Sequence, residues 1–452
     1  MARGRPADAN TIPRIQAEYI LEEFGDEVET HPPGWRHSKK QDLVEFIYRK
    51  GFLLIRDRDV LRLPEADVMV EVVGHPVPGL ALVKVIQQRT QKRPENIIET
   101  LRRIDAILGP GTASLDYLLS ITQKVPNPAT RCPATEPDGV PGNAPPQPAV
   151  STDRCDGRGV LVAVPDTGLL ESAPTQHPWL TGVEGALEPE VDPQTGLISR
   201  YTAHGTFIAS IVRAMAPRAQ VRVARTFDRA DANFESEVVK VLYQVMDSAP
   251  DIISLSAGTH TWLDRGLLSF RFFVDGPLRE RRGTVLVAAA GNDGMDWKFS
   301  PAKMKGVLSV GALGSHEDER AWFSNFGKWV KVYAPGEDLV HAYAHGVYRY
   351  VETQGRPDQE FDGMAQWSGT SFSTPLVAGL IAARMSGTGE TARGAARSLL
   401  RLARAQALPG VGPVLRPGQA CLGLKHRSRC RHCGCHECGG QECGCGECGC
   451  RE

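Results

Sequence analysis

Six strand-like runs punctuate the stretch from Gly157 to Gly336: GVLVAVPDTG, AQVRVARTF, PDIISLSAG, GTVLVAAAGND, GVLSVGAL and WVKVYAPG. Several are apolar throughout. Runs without alternation suit strands that bury both faces, as in a parallel sheet covered by helices on each side. Helical patterns such as GTFIASIVRAMA and FESEVVKVLYQVMDSA lie between them. The alternation predicts an α/β domain over residues 157–404, a doubly wound, mostly parallel sheet. In such sheets functional residues gather beyond the carboxyl ends of the strands, where Asp166, Ser256 and Asn292 fall.

The flanks read differently. Residues 1–124 suggest a small N-terminal α+β domain. QAEYILEEF and DLVEFIYRK are expected as helices, and GFLLIRD, DVMVEVVG and LALVKVI as strands. ENIIETLRRIDAIL sets Ile97, Ile98, Leu101, Ile104, Ile107 and Leu108 on one helical face. Residues 125–156 are crowded with Pro and Gly and read as a linker. Residues 405–452 read as a flexible Cys-rich tail.

Of eleven cysteines, Cys132 and Cys155 sit in or beside the Pro-rich stretch and nine lie between Cys421 and Cys450. A disulfide scaffold would spread its bridges, so the thiols are expected in an appendage apart from the core. Cys430, Cys433, Cys435, Cys438, Cys443, Cys445, Cys448 and Cys450, with His432 and His436 among them, form Cys-x-x-Cys and Cys-x-Cys pairs. Paired cysteines supply two ligands at once to tetrahedral zinc. Two readings stand: a zinc-binding tail, or a low-complexity tail with free thiols.

Net charge is −1 and the sequence pI is near 6.9, which gives no basic bias toward nucleic acid or an anionic membrane. No apolar run approaches the ~18 residues that would span a bilayer. The N-terminus lacks the continuous apolar core of a secretory signal, so a cytoplasmic location is expected.

Four motifs carry chemistry. The DTG at Asp166 also occurs in aspartic proteases, but those need two carboxylates sharing a proton, and no second such tripeptide is present. His204 in AHGTFIAS could be a helix-start residue, and Asn292 in AAAGNDG a turn residue. WSGTSFSTPLVAGLIAAR crowds Ser371 and its neighbours ahead of an apolar helix, which reads either as capping or as a nucleophile at a helix N-terminus.

Taken together, Asp166, His204, Asn292 and Ser371, in that order and wording, resemble the subtilisin-like serine proteases. SLSAG, VLSVGAL, FSNFG and YAPG extend the likeness across residues 157–404. The resemblance implies a serine endopeptidase acting on protein or peptide substrates, with no cofactor needed for catalysis. Ser371 would be the nucleophile, His204 its base, Asp166 the group that orients His204, and Asn292 an oxyanion donor. Ser256, Ala257 and Gly258 would pair with an extended substrate. Ala289, Ala290 and Gly291 would line the pocket for the residue before the scissile bond, with room for a large apolar side chain, or for a basic one if Asp293 lies at the rim. Pro375 is expected in the first turn of its helix.

The chain also departs from the pattern. The helix after His204 runs straight into APRAQVRVARTF, without the longer loop that helps bind calcium in many relatives, so calcium is not expected there. An insertion between Gly336 and Ser368 is expected as a surface hairpin. The N-terminal domain is either propeptide-like, docking on the peptidase cleft, or an interaction domain that the protein keeps. The rival to an enzyme is a peptidase scaffold repurposed for binding.

Overall fold

The computed structural model describes residues 11–32, 44–86, 96–121, 136–351 and 355–422. Its central sheet has seven strands in the order Val332–Pro335, Val307–Leu313, Val285–Ala289, Ile252–Leu255, Leu161–Asp166, Gln220–Arg225 and Glu184–Gly185. Every pairing in it is parallel. The strands Ile252–Leu255, Val285–Ala289, Val307–Leu313 and Val332–Pro335 are buried at every position, which is why their sequences do not alternate. Helix Thr370–Thr388 packs against four of these strands and against helix His204–Met215. It is apolar around nearly its whole circumference because it is covered on nearly all sides.

A second sheet is antiparallel and runs Ala232–Phe234, Ala113–Ser120, Phe46–Arg56, Leu80–Val85, Val70–Val77, with Val28–His31 also paired to Phe46–Arg56. Its first strand, Ala232–Phe234, comes from the 157–404 block, so the two parts of the chain share one sheet. Phe234, Ala232 and Ala230 pack with Ile20, Leu21 and Phe24 of helix Thr11–Phe24. The rings of Phe24 and Phe234 meet edge to face at 5.6 Å.

DLVEFIYRK is not helical where it is described. Phe46–Arg56 is a single strand. Phe46, Ile47 and Tyr48 are all buried because both edges of this central strand are paired, and such aromatic and branched residues favour a sheet once it has neighbours. In helix Ile97–Leu108, Ile97, Ile98, Leu101 and Ile104 are buried, whereas Ile107 is exposed. Leu108, at the end of the same helix, still packs against the core, so of the six only Ile107 turns out to solvent.

A third sheet is built on the hairpin Leu339–Tyr348 and Gln359–Trp367. Here the Pro-rich stretch, from residue 136 onward, is no free tether. Asp138–Gly139 pairs with the hairpin, Gln147 exchanges backbone hydrogen bonds with Val340, and the Ser151 N–H donates to the Ala214 carbonyl. Likewise residues 405–422 pack onto the fold. Val414 and Leu415 are buried, and their backbone meets Tyr333.

Cys155 and Cys421 form a disulfide with their Cα atoms 6.1 Å apart. These two cysteines therefore belong to the core, not to an appendage. They stand at the two ends of the peptidase block, which the fold brings together. Cys132 and the eight tail cysteines from Cys430 to Cys450 lie outside the described residues.

Candidate active site

Asp166 ends the strand Leu161–Asp166, inside the seven-stranded sheet, and His204 opens helix His204–Met215. Both are buried, and His204 Nδ1 lies 2.7 Å from Asp166 Oδ1. The same carboxylate oxygen accepts the Thr167 N–H at 2.9 Å. Gly205 makes the close approach possible, since a Cβ there would lie 2.4 Å from the Gly168 carbonyl oxygen and 3.3 Å from Asp166 Cβ. Ala203, just before the histidine, is held at φ 67°, in a left-handed conformation costly for a residue with a side chain.

Ser371 is the second residue of helix Thr370–Thr388, at the end where backbone N–H groups lack helical partners. Its neighbour Phe372 packs on the His204 ring with centroids 5.4 Å apart, and Trp367 meets that ring edge-on at 5.5 Å. Pro375 is the sixth helical residue, beyond the first turn, so it has no N–H to give the Ser371 carbonyl. The Ser256 hydroxyl takes over that role, donating to the Ser371 oxygen at 2.8 Å. Ser256 thus ties the end of strand Ile252–Leu255 to the base of the serine helix.

Asn292 lies just past strand Val285–Ala289. Its side-chain oxygen accepts from the Thr370 N–H at 2.9 Å and the Thr370 hydroxyl at 2.8 Å, which turns its NH2 group the other way. The Thr370 hydroxyl also receives the Gly291 N–H at 3.2 Å. Thr370 therefore fixes Asn292 and the chain before it. In the sequence Thr370 is not distinguished from its small polar neighbours in SGTSFST.

The expected pocket residues Ser256, Ala257, Gly258, Ala289, Ala290 and Gly291 flank this site, but two expectations about it need correction. Asp293 is not at an open rim. It is buried, with Oδ2 3.1 Å from His260 Nε2 and 2.7 Å from Asn325 Nδ2. Nor is the space behind the glycines open. The Phe299 ring occupies it, close to both Gly258 and Gly291.

Glu188 belongs to no motif, although it lies between Asp166 and His204 in the chain. Its Oε1 accepts the Thr167 hydroxyl at 3.0 Å and the Ala203 N–H at 3.2 Å, while the Thr167 hydroxyl receives the Gly205 N–H at 3.1 Å. One carboxyl thereby links the residue after Asp166 to the residue before His204. Burial pushes it up to about 8, with the nearby Asp166 charge adding to the rise. A carboxyl at that value is largely protonated at neutral pH, and so adds little negative charge beside Asp166.

Among the described residues there is no group of three or more His, Cys, Asp or Glu side chains placed to hold a metal, and no helix long and apolar enough to cross a membrane.

Residues 157–407 match the Subtilase family model, and the chain belongs to that family. It is 32% identical over 240 residues to the thermophilic serine proteinase of Bacillus sp. (strain AK1), covering 50% of this chain and 51% of that one. It is 28% identical over 238 residues to thermitase of Thermoactinomyces vulgaris, covering 50% of this chain and 75% of that one. The alignments with that thermophilic serine proteinase and with subtilisin NAT of Bacillus subtilis subsp. natto span 51% and 58% of those proteins, little more than half of their length. The crystal structure of fervidolysin from Fervidobacterium pennivorans has a similar fold, with TM-score 0.56 and 19% identity, covering 83% of this chain and 61% of that one.

Proposed function

We propose that the protein is a serine endopeptidase that hydrolyses peptide bonds through an acyl-enzyme. The observation that carries this reading is the 2.7 Å contact between buried Asp166 and His204, set beside the helix that bears Ser371. A serine hydroxyl attacks a carbonyl only as a base takes its proton. With Nδ1–H donated to Asp166, His204 keeps Nε2 to accept that proton and later to pass it to the leaving amine. Negative charge then develops on the substrate oxygen. The Asn292 NH2 and the Ser371 backbone N–H are the donors assigned to it. No metal or cofactor is called for in these steps. Labelling by a fluorophosphonate that is lost in Ser371→Ala tests the reading, and undiminished labelling of that variant would refute it.

The N-terminal part is read as a docked, propeptide-like domain. Support comes from the backbone pairing of Ser120 with Gly258, on the stretch assigned to substrate. An extended substrate adds itself to such an edge as a strand. The Cys-rich tail is proposed to bind zinc. Elemental analysis of reductively purified protein tests that, and absence of zinc would refute it.

A further inference from the structure

The segment after Asn292 folds back to the substrate strand. Thr259 and Ser300 exchange backbone hydrogen bonds, Thr259 N–H to Ser300 O at 2.8 Å and Ser300 N–H to Thr259 O at 2.9 Å. This two-way pairing fixes the residue before Ser300, and that residue is Phe299. Its ring is aimed into the gap between the two chain segments that leave the ends of strands Ile252–Leu255 and Val285–Ala289. A Cβ added to Gly258 would fall within 2.9 Å of Phe299 Cδ1 and closer still to Cε1. A Cβ added to Gly291 would lie 3.0 Å from Phe299 Cγ and 3.1 Å from Cδ1. The ring therefore rests against both glycine backbones, one on each wall.

Its other contacts hold it there. His260 meets the ring edge-on at 5.3 Å, and Trp297 meets His260 at 5.8 Å. His260 is itself anchored by Asp293, which Asn325 also holds. Phe299 is 3% exposed, so it is part of the packed wall and not a lid over it. The gap it fills lies beside Ser256 and Asn292, both tied to the start of the Ser371 helix. It is the space into which the side chain before the scissile bond would point.

We infer that Phe299 plugs this pocket, so that the enzyme cleaves after small residues such as Gly, Ala, Ser or Thr and rejects large apolar and basic ones. The inference rests on the peptidase reading above. Packed interiors yield little to overfilling, and a pocket that lacks room for a methylene already discriminates by about tenfold or more. Asp293 does not present an open carboxylate to a basic side chain, because it is buried and held by His260 and Asn325.

The test uses the full chain and a series of peptides that differ only in the residue before the scissile bond, with fluorophosphonate labelling as an independent measure of the nucleophile. Wild type should cleave the Ala or Ser peptide with kcat/KM about tenfold or more above the Phe, Leu or Lys peptide. In Phe299→Ala the ratio of Phe-peptide to Ala-peptide cleavage should rise by about tenfold or more. A protein that labels yet prefers Phe, Leu or Lys overturns the inference and leaves the peptidase reading standing. A protein that neither labels nor cleaves any peptide, even after its N-terminal part has been cut away, overturns both. Should Phe299→Ala fail to fold, the wild-type profile alone decides.

Discussion

Ser120 and Gly258 exchange both backbone hydrogen bonds, Ser120 N–H to Gly258 O at 3.2 Å and Gly258 N–H to Ser120 O at 3.1 Å. The end of an N-terminal strand therefore lies on the stretch proposed to pair with an extended substrate. If that contact is inhibitory, wild type should cut itself between residues 121 and 136, and Ser371→Ala should stay whole. Mass spectrometry of the two purified proteins checks this. Identical intact masses for both would remove the self-processing reading.

Ser120→Pro deletes one of those two donors and disturbs the local pairing. One neutral hydrogen bond is worth about 0.5–1.5 kcal/mol net. Fluorophosphonate labelling of the unprocessed chain should therefore quicken severalfold. Unchanged labelling kinetics would show that the docking does not gate access to Ser371.

Asp166→Asn should keep the fold but cost about 10⁴ in kcat, because the imidazole loses the acceptor that sets its tautomer. Asn292→Ala should leave a larger remnant, with a loss of about 10²–10³. That range was set on subtilisin itself and is carried over here by family membership. The order of the two losses, read by steady-state kinetics, is the point at issue. An Asn292→Ala loss exceeding that of Asp166→Asn contradicts the assigned roles.

The Cys155–Cys421 bridge closes a loop 266 residues long in sequence. Bridges of this kind typically stabilise by about 2–4 kcal/mol, more for longer loops. Cys155→Ser should lower the melting temperature under oxidising conditions, and a reductant should lower that of wild type alone. Non-reducing peptide mapping that finds both thiols free would refute the pairing. Disulfides persist in oxidising compartments, so the redox state of the protein's surroundings decides whether this clamp is closed.

Stability should also vary with pH through buried carboxyls. Burial pushes Glu235 up to about 8, against the hydrogen bonds it accepts from the Ser269 N–H and hydroxyl at 2.7 Å each. In the unfolded chain a Glu titrates near 4.3. The folded value is the higher one, so the native state holds the extra proton. Its stabilising effect is complete below about 4.3 and is lost as pH rises toward 8. Glu235→Gln should therefore flatten the fall in melting temperature between pH 5 and 9. Parallel curves for the two proteins would contradict the assignment. Buried His341, pushed down to about 3, has the opposite sign and weakens the fold as pH falls below about 6.5.

The parallel sheet was legible because its strands are buried on both faces and say so in unbroken Val, Ile, Leu and Ala. The places of Asp166, His204, Asn292 and Ser371 at strand and helix ends were legible because each sits in a short, distinctive wording. What stayed hidden depended on partners remote in sequence. Phe46–Tyr48 look helical until two neighbouring strands are known. Cys155 and Cys421 look like strays until the fold joins their segments. Phe299 stands in a loop-like DWKFSP, and nothing local says that the Thr259–Ser300 pairing will turn its ring onto two glycines. Glu188 is one acid among several in a polar stretch, and its significance comes from Thr167 and Ala203.

The strand Ala232–Phe234 has one further consequence. It is contributed by the peptidase block but hydrogen-bonds to Leu118–Ser120. Should the first 121 residues depart after cleavage, its amides lose those partners, and Phe234 loses the aromatic ring of Phe24. Maturation would then create a bare, greasy ribbon on the surface of the released enzyme, of the kind that recruits another extended chain. On the propeptide reading, the severed fragment is one chain able to hold that edge after the cut, since it pairs there already.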